Sequence, residues 1–393
     1  MEGIKSIPKR RFKRFTERWN TNILGYNAVV LTGGTPNTET RDYWNPKQIP
    51  WMSSGEINKQ RLNDTEDMIS QFGLENSSAQ WVKQNSILIA LAGQGKTRGK
   101  VAINNIDLTT NQSIAAIVPN NNLYYEFVFQ NLNKRYEELR LMSSGDGTRG
   151  GLNKRLIFEI PLSFPSFAEQ QKIGKFFKIL DERIANQERK IAKVKALKSA
   201  YLTEMFPQKG ETVPKRRFKG FEDEWETKRL GEISFINTGE SDVKDSVSDG
   251  EYPFFVRSKN IENSDTYTYD GEAILIPGEG KLGEIYHYYN GKFNYHQRVY
   301  KISDFDENVD GKFIYYIMHT TFKQHALKHT VKATVDSLRL PTLTSYKFCL
   351  PNKKEQQKIG SFFKNLDNQI EMEEKKLDKL QKMKEAYLEE MFV

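Results

Sequence analysis

Two long stretches of the chain carry apolar residues at steps of three, four or seven positions. The apolar positions are Ile173, Phe177, Leu180, Ile184, Ile191 and Val194 in the first stretch, and Ile359, Phe363, Leu366, Ile370, Leu377 and Leu380 in the second. Steps of three, four and seven predict a helix with one apolar seam. At 1.5 Å per residue, about 38 helical residues extend roughly 57 Å. We therefore predict two long spacer helices, at 166–207 and 352–393.

Polar residues mark where each predicted helix begins. Ser166 is followed three positions later by Glu169, and Asn352 by Glu355, which is the pattern of a capping box. A helix with one apolar stripe needs a partner, so we predict that the two helices pack together as an antiparallel coiled coil. The alternative is that each stripe packs on its own globular region or on another subunit.

The two remaining regions, 1–165 and 208–351, show mixed patterns. Short apolar runs at 86–91 and 273–276 predict buried strands bounded by glycine-rich turns. Residues 121–141 and 311–328 predict helices with Tyr and Phe on one face. The expected fold class is α+β, with two globular mixed α/β domains separated by the two long helices.

An internal repeat links the two halves. The segment IPKRRFKRFTERWNTNILG (7–25) returns as VPKRRFKGFEDEWETKRLG (213–231), and EQQKIGKFF (169–177) returns as EQQKIGSFF (355–363). The middles are far less alike, although ILIALAGQGK in the first half is echoed by ILIPGEGK in the second. This pattern favours a pseudo-two-fold frame with a shared structural role that carries two different recognition inserts. The alternative is duplication followed by drift.

Charge and composition narrow the classes of partner. The formal net charge is +8 and 28% of the residues are charged. A basic balance suits a polyanion such as nucleic acid, although lysine-rich helix faces would give the same sum. The one cysteine, Cys349, excludes an internal disulfide and a cysteine-only zinc site. No apolar run has the length of a membrane span or a secretory signal, so we expect a cytoplasmic protein with no membrane partner.

Polar and basic residues in the glycine-rich loops are the candidates for DNA contact, because such side chains bind phosphates and base edges. An ordinary solvated surface charge is the alternative for each of them. The candidates are Gln94, Lys96, Arg98, Lys100, Arg149 and Asn153 in the first half, and Arg257, Lys259, Lys281, Lys332 and Arg339 in the second.

Two other chemistries have some support in the sequence. ALAGQGKT (90–97) fits a loose phosphate-loop pattern, but that loop requires a helix immediately afterwards, and the residues that follow do not have a helical pattern. His325 and His329 lie four residues apart on a predicted helix, which could place two metal ligands on one face. The first half contains no histidine, which excludes a duplicated metal site, and we predict no metal and no catalytic residue in this chain. A P-loop-like nucleotide-binding protein and a coiled-coil adaptor remain the alternative functions.

Several motifs resemble those of the specificity subunit of type I restriction-modification systems. The resemblance lies in the order of the motifs, which occurs once in each half of the chain. The motifs are GGTP (33–36), YWNPKQIPWMSSGEI (43–57), the Gly-rich loop (93–99), LSFPSFAEQQKIGKFF (162–177), KRRFKGFEDEWETKRLGEI (215–233) and LPNKKEQQKIGSFF (350–363). The resemblance covers the whole chain. The second half departs from it, because INTGESDVKD (236–245) stands where the first half has GGTP.

The resemblance implies a non-catalytic recognition subunit. It implies a target recognition domain at 1–165 and another at 208–351, each reading one element of a bipartite double-stranded DNA target, with the spacer helices setting the distance between them. It also implies two modification subunits, which supply S-adenosylmethionine and adenine methylation. Restriction subunits would supply translocation and cleavage driven by ATP and magnesium, so no cofactor is expected in this chain.

Overall fold

The computed structural model describes residues 7–93, 97–142, 151–208, 210–280, 282–329 and 337–393. The chain forms two compact units. The first comprises Met1–Gln187 with Lys376–Val393, and the second comprises Glu188–Lys375. Each unit therefore contains one globular region together with parts of both long helices.

The first unit combines short strands with short helices. Its strands are β1 (Asn20–Ile23), β2 (Ala28–Thr32), β3 (Ile49–Met52), β4 (Arg61–Leu62), β5 (Asp67–Ile69), β6 (Ile87–Ala90), β7 (Val101–Asn104), β8 (Thr109–Thr110), β9 (Ile114–Pro119) and β10 (Pro161–Phe164). Its helices are α1 (Gln71–Glu75), α2 (Tyr125–Lys134), α3 (Tyr136–Leu141), α4 (Lys154–Phe158) and the start of α5 (Phe167–Glu204). The main sheet has the order β2-β9-β6-β7-β4, and β5-β3-β8 and β1-β10 form two smaller sheets.

Strand β6 lies in the middle of the main sheet, and every one of its residues is buried. Ile87 and Ile89 belong to one apolar cluster, whereas Leu88 and Ala90 belong to another. Successive side chains of a strand point to opposite faces, so an unbroken apolar run indicates a strand covered on both sides. This confirms the strand that the sequence predicts at 86–91.

The helix predicted over 121–141 is divided into α2 and α3 at Arg135. The guanidinium of Arg135 bonds to both carboxylate oxygens of Glu138 and to the carbonyl of Pro161, at 2.6–2.7 Å. The break thus coincides with one bond to strand β10 and two bonds to Glu138 in the next helix, and local periodicity does not show it.

The second unit is built on a larger sheet. Its strands are β11 (Glu226–Arg229), β12 (Phe235–Thr238), β13 (Tyr252–Phe255), β14 (Ile261–Ser264), β15 (Tyr269–Pro277), β16 (His287–Tyr295), β17 (Val299–Ser303) and β18 (Lys347–Leu350). Its helices are α6 (Leu230–Ile233), α7 (Gly311–His329), α8 (Leu340–Thr344) and most of α9 (Lys353–Met391). The sheet order is β12-β17-β15-β16-β13-β14, with β11-β18 as a separate pair.

The second sheet has the same two-sided burial as the first. Ile274 and Ile276 of β15 belong to one cluster, and Ala273 and Leu275 to another. The strand predicted at 273–276 is therefore confirmed, and it is longer than the apolar run. Helix α7 confirms the helix predicted at 311–328.

The aromatic cores of the two units have matching geometry. In the first unit, Trp19 and Phe127 have ring centroids 5.6 Å apart, and Phe177 and Phe392 are 5.7 Å apart. The corresponding pairs in the second unit are Trp225 with Phe313 at 5.6 Å, and Phe206 with Phe363 at 5.7 Å. Phe392 follows α9 and Phe206 follows α5. The end of the second long helix thus completes the first core, and the end of the first long helix completes the second.

The long helices pair antiparallel within each unit. In the first unit, Phe176 lies against Tyr387 at 5.2 Å between centroids, and Asp181 lies 2.7 Å from Lys384. In the second, Lys190 bonds to Glu373 at 2.9 Å, and Tyr201 lies 5.2 Å from Phe362. Residue numbers rise along one helix as they fall along the other, which confirms the antiparallel arrangement.

The predicted seam residues differ in their surroundings. Those that are fully buried are Ile173, Phe177, Leu180, Ile191, Ile359, Phe363 and Leu366. Those that are half-buried are Ile184, Val194, Ile370, Leu377 and Leu380. The first three seam residues of each helix belong to the core of a globular region. Each apolar stripe therefore packs on a globular region along one stretch and against the other long helix along another.

The glutamates of the expected capping boxes have a different role. The buried carboxylate of Glu169 accepts two hydrogen bonds from Arg11, at 2.9 and 2.6 Å. Glu355 accepts the same pair from Arg217, at 2.9 and 2.7 Å. The repeated KRRF segments are thus tied to the starts of the long helices. The cap expected from Asn352 is confirmed, since its Oδ1 accepts from the backbone N–H of Glu355 at 3.0 Å, whereas the carboxylates of Glu169 and Glu355 bond to arginines.

Candidate nucleic-acid interface

Five chain segments meet in the second unit to form a surface of polar loops. We name them the second-unit loop cluster: 241–242, 255–260, 278–280, 296–298 and 337–339. Backbone hydrogen bonds join them, from Gln297 to Ser241 (2.8 Å), His296 to Phe255 (3.0 Å), Gly278 to Arg298 (2.8 Å) and Leu338 to Gly278 (2.7 Å). Loops joined by main-chain bonds hold their side chains in defined positions.

An arginine–glutamate–arginine group lies on this cluster. Arg298 Nη1 donates to both carboxylate oxygens of Glu279 at 2.6 Å, and Arg257 Nη1 lies 3.3 Å from the same carboxylate. Hydrogen bonds from Arg298 hold the pKa of Glu279 below its usual value. Two guanidiniums share one carboxylate, so the group keeps one net positive charge.

His296 supports the turn that carries Arg298. Its ring is buried, its Nδ1 accepts a hydrogen bond from the backbone N–H of Arg298 at 2.9 Å, and its Nε2 lies 3.6 Å from Asp242. Burial lowers the pKa of His296. Gln297 Nε2 donates to Asp242 at 3.3 Å, so the two residues before Arg298 both contact the neighbouring loop.

Glycine is favoured at the two positions that flank Glu279. Gly280 has a φ of +90°, a backbone conformation that residues with a side chain rarely adopt. Nothing lies within 4 Å of the place where its Cβ would be. A Cβ on Gly278 would lie 3.1 Å from the carbonyl oxygen of Arg298. The glycine at 278 lets this loop approach Arg298 closely.

The first unit repeats the backbone arrangement. Leu152 donates to Leu91 at 3.1 Å, and Leu91 donates to Ser113 at 2.8 Å. The bonds correspond to those from Leu338 to Gly278 and from Gly278 to Arg298. The first unit therefore has Ser113 where the second has Arg298, which gives one frame with two different sets of side chains.

The GGTP motif has a steric explanation in the first unit. A Cβ on Gly33 would lie 2.2 Å from the carbonyl oxygen of Asn111, and a Cβ on Gly34 would lie 2.4 Å from the backbone of Ser78. Gly34 N–H donates to Thr110 at 2.8 Å, and the hydroxyl of Thr35 bonds to Gln112. The motif thus allows close contact with the segment just before β9.

The predicted DNA-contacting residues are only partly brought together. Arg257 lies in the second-unit loop cluster, and the exposed residues Lys259 and Arg339 lie on the same segments. Arg339 directly precedes α8. The candidates Gln94, Lys96, Arg149, Lys281 and Lys332 lie outside the described residues.

Three candidates of the first half make local contacts. Arg98 Nε donates to the carbonyl of Arg140 at 3.0 Å, and Lys100 Nζ donates to Asn58 at 2.7 Å. Asn153 caps α4 by accepting from Leu156 N–H at 2.9 Å. These bonds hold the local structure, so DNA contact by Arg98, Lys100 or Asn153 stays a prediction.

Sequence reasoning missed Glu279, Gln297 and Arg298. The available signals were a Gln-Arg pair between two strand-like runs, NYHQRVYKI (294–302), and a separate Gly-Glu-Gly loop at 278–280. Their association depends on the pairing of β15 with β17, which joins Pro277 to Val299.

A strand follows the phosphate-loop pattern, and both histidines of the predicted pair make local contacts. Residues 97–99 form a turn, and β7 follows at Val101, so no helix stands where a phosphate loop needs one. His325 Nε2 lies 2.9 Å from the carbonyl of Thr342. Among the described residues, no group of three or more His, Cys, Asp or Glu side chains could hold a metal ion.

In that same part of the chain, no helix has the length and apolar character needed to cross a membrane.

Comparison with known proteins shows that the two repeated halves of the chain match one protein family. A family model described as the type I restriction modification DNA specificity domain matches residues 24–196 and again 222–382. The MjaIX specificity subunit of Methanocaldococcus jannaschii is 24% identical, over 94% of this chain and 91% of its own length. The crystal structure of the S subunit of a type I restriction-modification system from M. genitalium superposes with a TM-score of 0.71 at 15% identity, covering 98% of this chain and 99% of that one.

Two relatives from Escherichia coli match over a shorter span. The EcoDI specificity subunit is 27% identical over 40% of this chain, and the EcoR124I/EcoR124II specificity subunit is 26% identical over 41%. The matches cover 34% and 40% of the length of these two proteins.

Proposed function

The chain belongs to the type I restriction-modification DNA specificity family, and we propose that it is the subunit that selects the DNA target of such a system. It binds double-stranded DNA and recognises a bipartite target, with one element read by each unit. It performs no chemistry itself. Two modification subunits supply S-adenosylmethionine and methylate adenine, and restriction subunits supply ATP- and magnesium-dependent cleavage.

One observation carries this proposal beyond family membership. The same backbone frame occurs in both units, yet it presents Ser113 in one unit and Arg298 in the other. A catalytic duplication would be expected to keep the same side chains at corresponding places. Different side chains on a common frame favour two readers of different sequences.

The chemistry of the loops suits this role. Lysine and arginine neutralise DNA phosphates and make binding dependent on salt. Arginine, asparagine and glutamine form paired hydrogen bonds with base edges in the major groove, each good pair being worth about 1–3 kcal/mol of discrimination. Both residue types lie on the second-unit loop cluster.

A methylation map tests the proposal. The chain is expressed with its modification subunit in a host that lacks adenine methylation, and the DNA is then sequenced for methyladenine. We expect a two-part motif with a fixed gap. A purified complex of both subunits that methylates DNA with no sequence preference would contradict the proposal and favour a structural adaptor.

A further inference from the structure

Resting on the proposed function, we propose that Arg298 reads a guanine in the element recognised by the second unit. We further propose that Glu279 is the positioning residue that sets the orientation of the Arg298 guanidinium.

The hydrogen bonds of Arg298 leave part of its guanidinium available. Only Nη1 donates to Glu279, and within the described residues neither Nε nor Nη2 has an acceptor. The side chain is 53% exposed. Guanine presents two acceptors, O6 and N7, on its major-groove edge, and an arginine fork matches both. The remaining donors of Arg298 therefore have the geometry of a guanine reader.

The backbone of Arg298 is fixed from both sides. Its N–H donates to the ring of His296, and its carbonyl accepts from Gly278, the residue directly before Glu279. The bond between the two side chains is thus accompanied by a main-chain bond from Gly278, the neighbour of Glu279, to Arg298.

Glu279 also controls the charge of the surface. It is 30% exposed and contacts Arg257 as well as Arg298. Without its carboxylate the two guanidiniums would repel each other and would both be free to bind phosphate, which attracts any DNA sequence equally. Glu279 therefore favours base reading by Arg298 over sequence-independent binding.

In the described residues of the first unit, different side chains stand at the corresponding positions. Ser113 occupies the position that corresponds to Arg298, and Ala92, which follows Leu91, corresponds to Glu279. Changes at Arg298 or Glu279 are therefore expected to affect one element of the target and leave the other unchanged. The unaffected element is an internal control.

Methylation mapping of variant complexes tests both assignments. We expect Arg298→Ala and Arg298→Lys to relax the motif at one guanine of one element, by roughly 5- to 150-fold in preference. Lysine keeps the charge but cannot form the fork. Arg229→Ala is the control, because Arg229 is 54% exposed in the same unit but lies on β11, and we expect it to leave the motif unchanged.

Glu279→Gln has a distinct expected signature. It should tighten binding to DNA without the target and steepen the salt dependence, while weakening preference at the same guanine. If it changes nothing while Arg298→Ala relaxes the motif, the role of Glu279 is overturned and that of Arg298 stands.

The remaining outcomes separate this inference from the proposed function. A folded Arg298→Ala complex, verified by circular dichroism, that keeps every position of the motif overturns the guanine assignment. A loss of affinity that is uniform across sequences assigns Arg298 to phosphate and also overturns it. If the complex of the wild-type chain methylates DNA without any sequence motif, the proposed function itself is overturned.

Discussion

Arg11 and Arg217 show how single residues hold the repeated frame together. Each makes two hydrogen bonds to a glutamate at the start of a long helix, and those glutamate side chains are only 1% and 0% exposed. Hydrogen bonds to Glu355 raise the pKa of Arg217. A buried carboxylate is costly without its partner, which is a physical reason for the same KRRF segment to occur twice.

We predict that Arg11→Ala lowers the stability of the first unit by roughly 3–5 kcal/mol, because the charge of Glu169 is then buried without compensation. Urea denaturation followed by tryptophan fluorescence measures the loss. Arg14→Ala is the matched control, since Arg14 is an exposed arginine three residues away. Equal losses in the two variants would show that the buried pair has no special role.

At the scale of elements, an aspartate in each unit joins the long helices to a globular region. Asp181 of α5 accepts hydrogen bonds from Gln130 of α2 at 2.7 Å and from Lys384 of α9. At the corresponding place in α9, Asp367 accepts from Tyr316 of α7 at 2.7 Å and from Lys198 of α5. Each aspartate thus contacts two other helices, and the repeat preserves this contact while Gln is replaced by Tyr.

We predict that Asp367→Asn destabilises the second unit by about 1–3 kcal/mol, because Tyr316 and Lys198 lose a charged acceptor in a largely buried place. Glu371→Gln, four residues further along α9, removes the same charge from a pair with Lys375 whose side chains are both more than half exposed. That change should cost less than about 0.5 kcal/mol. Thermal unfolding compares the two, and a ranking in the opposite order would contradict the prediction.

At the scale of the whole molecule, the first compact unit is built from two separate parts of the chain, Met1–Gln187 and Lys376–Val393. Residues after α9 close the core of the first unit, and residues after α5 close the core of the second. Phe392 packs against Trp19, Phe127 and Phe177. A globular region without the end of the other helix would expose this aromatic surface.

We predict that Phe392→Ala destabilises the first unit by about 3–5 kcal/mol and leaves the second nearly unchanged, because the cavity opens in the core around Trp19. Hydrogen exchange measures this, with β6 as the reporter of the first unit and β15 as the reporter of the second. Phe206→Ala should reverse the pattern, and Val393→Ala is the control. Faster exchange in β15 than in β6 after Phe392→Ala would overturn this assignment of the cores.

The long helices and the central strands could be predicted from sequence because their signals are local. A seam with steps of three and four indicates α5 and α9, and unbroken apolar runs indicate β6 and β15. The break at Arg135 escaped prediction, since it is accompanied by bonds to Glu138 and Pro161. Periodicity describes one element at a time and carries no information on such a bond.

The candidate site was less accessible from sequence. Loop polarity identified Arg257 but not Arg298 or Glu279, because side-chain type alone does not separate a reader from an ordinary surface charge. The three are associated only when β15 and β17 pair and bring residues 278 and 298 together.

The sequence by itself determined the repeat, the two long helices, the mixed composition of the globular regions and the family resemblance. These features depend on periodicity and on residue identity, which are properties of the chain as written. Only the tertiary structure decided that the end of each long helix completes the core at the start of the other long helix. It also decided that Glu279 bonds to two arginines. Contacts between residues far apart in the chain depend on how whole surfaces pack, and no local pattern encodes that choice.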